Sequence, residues 1–193
     1  MTRRRDSIGD APLLAWGEAL RQRQQRRSRI RRRLIPLGVG GGLLLLSAVF
    51  PPSPRLVWNA SASMAIGLYR VFPGARIGPG DLVIAWAPPP YRQLAARRHY
   101  LPLDVPLVKR IAAAAGDEVC ALGPHIFIDG RPVADRRAVD GAGRPVPLWN
   151  GCTRLHGQQL FLLAADPASF DGRYFGISEG GDIVGKATLL WAR

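Results

Sequence analysis

Residues 34–52 read LIPLGVGGGLLLLSAVFPP and carry no charged side chain. These 19 positions approach the roughly 20 that a helix needs to cross the hydrocarbon core of a bilayer. Gly40, Gly41 and Gly42 weaken a helix in water but are common in membrane spans. A buried core helix is the alternative, disfavoured because nothing charged interrupts any face of the run.

The flanks are asymmetric. Residues 1–33 hold eleven arginines against Asp6, Asp10 and Glu18, so +8 (11 − 3) of the chain's +13 formal charge sits there. Arginines packed on one side of an apolar run orient it with that side in the cytoplasm. The expected organisation is a cytoplasmic Arg-rich segment (1–33), one transmembrane helix (34–52) and an extracytoplasmic domain (53–193), periplasmic in a Gram-negative cell. The partner implied for the tail is the headgroup region of the inner, cytoplasmic membrane, and no nucleic acid is expected. Within the tail, Asp10-Ala11-Pro12 reads as a helix start with Asp10 as cap, and Leu13, Trp16 and Leu20 follow at helical spacing. Ala60-Ser61-Ala62 has the small-residue look of a secretory cleavage site. The long basic segment before the apolar run and the site's distance beyond it are poor fits to a removed signal.

Residues 53–193 read as mainly β. Strands are expected at Leu68–Phe72, Leu82–Trp86, Val105–Ala113, His125–Ile128, Arg131–Ala134, Leu160–Ala164 and Ile183–Trp191, separated by Pro/Gly/Asp punctuation. Asp129-Gly130 is the strongest hairpin signal. Ala87–Pro106, rich in proline, is expected to be a loop. Cys120 and Cys152 are either two buried thiols or one disulfide, and an extracytoplasmic compartment favours the disulfide. His99, His125 and His156 are scattered, and no metal-ligand spacing or Gly-Lys-Ser/Thr nucleotide loop exists, so neither metal nor cofactor is expected.

Two residues could carry chemistry. In Pro106-Leu107-Val108-Lys109-Arg110-Ile111, strand alternation places Leu107, Lys109 and Ile111 on one face. A lysine there is either a snorkelling edge residue or a desolvated amine, and desolvation lowers its pKa towards that of a usable base. Upstream, the segment Asn59–Tyr69 (NASASMAIGLY) is free of bulky side chains around Ser61 and Ser63. Alone it reads as a flexible tether. Paired with a desolvated lysine, Ser63 becomes a candidate nucleophile, since serine needs an adjacent base and lysine is a known variant.

Ser63-Met64, Gly80-Asp81, Lys109-Arg110 with Gly116-Asp117, and Asp166 followed by Arg173-Tyr174-Phe175-Gly176 occur in this order. In that ordered set, from residue 59 to about 191, the chain resembles type I signal peptidases. The run Ser-Met-x-x-Gly-Leu-Tyr is most similar to the conjugative-transfer branch, the TraF-type peptidases that mature pilin precursors. The resemblance implies a signal-peptidase-like β domain, antiparallel and partly barrel-like, behind the membrane helix. It implies a serine endopeptidase with Ser63 as nucleophile and Lys109 as general base. Precursors carrying signal peptides would be bound as an added strand, with small residues before the cut. Ser61 would join the backbone N–H of Ser63 in the oxyanion hole, and Asp166 and Arg173 would support the lysine.

The sequence departs from that pattern at three places. Ala65 stands where the transfer branch often has proline, Pro167 follows the aspartate in place of asparagine, and Gly172 replaces a serine common before the arginine. Asp171 is therefore an alternative to Asp166 in supporting Lys109, while Asp117 reads as a turn residue. A Ser/His/Asp triad using His99 or His156 is the chemical competitor. A non-catalytic bitopic component of a transfer or secretion apparatus is the competitor of another class.

Overall fold

The computed structural model describes residues 11–49 and 53–193. The chain divides into two compact units, residues 1–52 and 53–193.

In the first unit, helix α1 spans Ala11–Val49 with Pro36 inside it. Pro12 falls in its first turn, where a missing N–H costs no intrahelical bond; Asp10, the expected cap, lies outside the described residues. Leu34, Ile35, Leu37 and Leu43–Leu46 are all exposed. Among the described residues no helix is long and apolar enough to cross a membrane. The uncharged run continues through Phe50, Pro51 and Pro52, which lie outside the described residues.

The second unit is built from two antiparallel sheets. The larger has seven strands in the order β1 (Leu56–Asn59), β2 (Gly67–Phe72), β11 (Ile183–Ala192), β3 (Leu82–Ala85), β4 (Leu107–Ala113), β9 (Leu160–Leu163), β10 (Ile177–Ser178). Among the described residues no ladder joins its edges β1 and β10. The smaller sheet runs β7 (Arg131–Asp135), β6 (His125–Ile128), β5 (Glu118–Leu122), β8 (Gly151–Arg154).

Side-chain period explains the central strands. In β2, Tyr69 and Val71 are buried and Arg70 and Phe72 exposed, the alternation of a sheet with one covered face. β4 is covered on both faces: Leu107, Val108, Lys109, Ile111 and Ala113 are buried, and Arg110 alone is exposed. β9, Leu-Phe-Leu-Leu, is buried throughout and anchors two clusters, Val83/Ala85/Ile111/Leu162 and Ala113/Val119/Ile126/Phe161.

The expected hairpin at Asp129-Gly130 is present, with φ of 49° and 74° and Ile128 paired to Arg131, as a two-residue primed turn requires. Cys120 and Cys152 are direct cross-strand partners in β5 and β8 and form a disulfide. Four strands go beyond the sequence expectation: β1, β5, β8 and β10. Ala87–Pro106 is corrected too, because Pro89–Arg97 is a helix, α2. Its prolines occupy the first turn, where their fixed φ starts a helix instead of breaking it, and Arg97 favours the last turn.

Candidate active site

Residues 60–66 connect β1 to β2, which pair from Leu56↔Arg70 to Asn59↔Gly67. The small side chains there do not leave a tether, because Asn59 holds the loop from inside. Its Nδ2 donates to the carbonyls of Ser61 (2.9 Å), Met64 (3.2 Å) and Ala65 (3.0 Å), and its Oδ1 accepts the Ser61 N–H at 3.1 Å. The buried Tyr69 hydroxyl donates to Ala65 O at 2.8 Å, and Met64 packs on the Tyr69/Val71/Ile84/Val108 cluster. Gly67 closes the loop against β11: a Cβ there would stand 2.0 Å from the Trp191 carbonyl oxygen. The run Ser-Met-x-x-Gly-Leu-Tyr thus has a physical reading. Met64, Gly67 and Tyr69 each help to hold the serine's loop.

Strand β4 brings Lys109 to that loop. Its Nζ lies 2.9 Å from Ser63 Oγ and 2.6 Å from Ser169 Oγ, and the side chain is 2% exposed. Burial pushes the amine down to about 8; Asp171 opposes this by its charge, Arg173 adds to it, and Asp166 opposes it. Ser61 Oγ lies 3.1 Å from Ser63 Oγ and accepts the Ser63 N–H at 3.3 Å. Ser61, Ser63 and Lys109 are therefore contiguous.

The segment after β9 packs beside the lysine. Asp171 is fully buried and caps the short helix α3 (Gly172–Phe175), its Oδ1 accepting the Arg173 N–H at 3.1 Å and its Oδ2 the Ala164 N–H at 2.9 Å. Burial pushes its carboxyl up, against the pull of Arg173 and Lys109. The Arg173 guanidinium lies 3.6 Å from Asp171 and donates to Asp166 O at 2.8 Å and Ala164 O at 2.7 Å. The Asp166 carboxylate instead accepts the Ala168 N–H at 2.8 Å within its own loop. The buried carboxylate of this region is Asp171, the alternative of the two. Asp117 accepts the Ala114 N–H at 2.9 Å as a turn residue does.

Two residues were not singled out in the sequence. Asn59 opens the small-residue stretch, and its signal was its place as the last residue before a loop that needs internal donors. Ser169 lies in the loop between β9 and the helix that follows it, is buried at 4% exposure and reaches the lysine. Gly172 has no room for a side chain, since a Cβ there would meet Leu162 O at 2.7 Å and the Phe161 ring at 2.8 Å.

These residues open on a cleft of about 820 Å³ lined by Trp58–Ser63, Tyr100–Pro102, Val105–Lys109, the 137–146 arm and Asp166–Phe170. No histidine is among the described residues lining it, so the structure gives Ser63 no triad partner of that kind. The cleft holds a hydroxyl beside a desolvated amine, which is what serine activation by lysine requires.

The family model for signal peptidase, peptidase S26, matches residues 28–192. The chain belongs to that family. A plasmid transfer protein TraF of Escherichia coli is 31% identical over 171 residues, covering 81% of this chain and 94% of that one. A probable conjugal transfer protein TraF of Sinorhizobium fredii is 32% identical over 173 residues, covering 81% and 90%. Among solved structures, a signal peptidase I of Enterococcus faecalis aligns over 59% of this chain and 98% of that one, at 17% identity and a TM-score of 0.36.

Proposed function

We propose that the protein is a membrane-anchored signal peptidase that cuts exported precursors after small residues with a Ser63/Lys109 dyad. The observation that carries the reading is the 2.9 Å approach of a buried Lys109 amine to Ser63 Oγ. In its neutral form the amine takes the Ser63 proton as Oγ attacks the scissile carbonyl carbon. The tetrahedral oxyanion is met by the Ser63 N–H, joined by the Ser61 hydroxyl once its side chain rotates off that N–H. Collapse breaks the C–N bond, and the Lys109 ammonium returns the proton to the leaving amine. Water then attacks the acyl carbon and gives a proton to Lys109 as the new C–O bond forms; collapse breaks the C–Oγ bond, and Lys109 returns that proton to Ser63 Oγ. Ser169 holds the amine in place, Asp171 acts on it through its charge, and Arg173 balances Asp171.

The uncharged run 34–52 serves as a single-pass inner-membrane anchor with residues 1–33 in the cytoplasm and 53–193 in the periplasm. Similarity to conjugal transfer proteins supports a pilin-like or secretion-system precursor as substrate.

The test is processing of the precursor in cells carrying Ser63→Ala or Lys109→Ala, with membrane insertion verified. Uncut precursor is expected in both. Normal processing in both would leave a non-catalytic assembly component as the better reading.

A further inference from the structure

Tyr100 lies in the cleft wall, and its hydroxyl donates to the Asp140 carboxylate. Asp140 also takes Arg144 Nε at 2.7 Å and the backbone N–H groups of Ala142 and Arg144, each at 2.9 Å, while Arg98 stands 3.8 Å away. The Arg144 guanidinium lies over the Tyr100 ring, 5.6 Å from its centroid. The tyrosine is thus clamped at its hydroxyl and along one face.

Its ring also meets Phe170 at 5.3 Å, and Phe170 stacks on Tyr174 at 6.0 Å with planes 8° apart. Phe170 meets Phe175 edge-on at 5.8 Å and packs against the cluster containing Leu107. In the sequence Phe170 stands between Ser169, which touches the Lys109 amine, and Asp171, which lies behind it. Leu107 shares a strand face with Lys109. No residue of the dyad touches Tyr100, yet the ring it steadies is covalently joined to Ser169, the amine's hydrogen-bond partner.

We infer that Tyr100 is a positioning residue for Lys109, acting through Phe170 to keep Ser169 on the amine and water away from it. This rests on the Ser63/Lys109 reading. The groups that face the amine are the hydroxyls of Ser63 and Ser169 and the charges of Asp171, Arg173 and Asp166; Val83, its cross-strand partner, adds none. Truncating Tyr100 frees Phe170, hydrates the amine and favours its charged form.

The experiment measures kcat/KM for precursor cleavage from pH 6 to 10 with the full chain in detergent. Wild type, Tyr100→Ala, Tyr100→Leu and Tyr100→Phe are compared, each checked for native circular dichroism. Expected for the Ala and Leu variants is an acid limb displaced upward by about one unit, so that activity falls about tenfold at pH 7 and recovers near pH 9.5. The Phe variant retains the ring and is expected to keep the limb in place. A uniform loss at every pH marks Tyr100 as a substrate contact and overturns the inference, as does an unchanged profile. If Tyr100→Ala does not fold, Tyr100→Leu decides by the same profile. Ser63→Ala, run alongside, separates the two levels: activity surviving in that variant overturns the dyad itself, whereas its loss with an unmoved Tyr100→Leu limb overturns the positioning role alone.

Discussion

The Lys109 amine lies 2.6 Å from Ser169 Oγ, closer than its 2.9 Å approach to Ser63 Oγ. Two hydroxyls share one buried nitrogen, and the shorter contact belongs to Ser169, not to the proposed nucleophile. Ser169→Ala removes the partner that aims the amine while leaving the nucleophile intact. A loss in kcat of about 10- to 1000-fold with little change in KM is expected. Steady-state kinetics on a precursor peptide measure it, and a change confined to KM would contradict the assignment.

A desolvated base also fixes the pH response. With its amine near 8, Lys109 is mostly protonated at neutral pH, so kcat/KM is expected to climb through pH 7–9. Stability moves in the same direction. Folding lowers this pKa from its ordinary 10.5, so the unfolded chain binds the extra proton between about 8 and 10.5. The cost of burying the charge is complete below that window and fades across it. Lys109→Met is expected to stabilise the protein by on the order of 2 kcal/mol at pH 7. The gain disappears above about pH 10, as thermal unfolding at the two pH values would reveal.

Asp171 and Asp166 should separate cleanly. Asp171→Asn leaves the Arg173 guanidinium buried without its counter-charge and is expected to destabilise by about 3 kcal/mol or more. It also removes the carboxylate that opposes the fall in the Lys109 pKa, so any remaining activity should have its acid limb shifted downward. Asp166→Asn keeps an oxygen to accept the Ala168 N–H and should change stability by less than about 1 kcal/mol. Chemical denaturation of the two variants side by side would expose an error in this ranking.

Gly67→Ala places a methyl where the Trp191 carbonyl already stands, at 2.0 Å. Backbone does not yield as a flexible side chain does, and a loss of about 2–4 kcal/mol is expected. Activity should fall further than stability alone explains, because the displaced strand borders the Ser63 loop. Near-wild-type melting and turnover in this variant would show that β2 and β11 can separate at no cost.

Lys109 was legible because strand alternation is local: a lysine flanked at i±2 by leucine and isoleucine can be read from six residues. The hairpin at Asp129-Gly130 was legible for the same reason. The short strands β1, β5, β8 and β10 were not, since each is held by a partner distant in the chain and carries little pattern of its own. Helix α2 was missed because proline was weighed as a breaker without regard to its position in the first turn. For the carboxylate beside Lys109 the resemblance offered Asp166 with Asp171 as the alternative; burial and capping single out Asp171, and Ser169 meets the amine from the same loop. Those choices are steric, and sterics of packed neighbours do not show in a linear string.

Strand β11 borders the Ser63 loop through Trp191 at Gly67, and the Arg193 N–H donates to Ile66 O at 2.9 Å. The serine's loop is made early in translation and the strand that fixes it comes far later. A nascent chain that has exposed Ser63 but not yet delivered β11 has one wall of the loop missing, and closing that wall requires a contact of high sequence separation. The seat of the serine is thus complete only once β11 is in place.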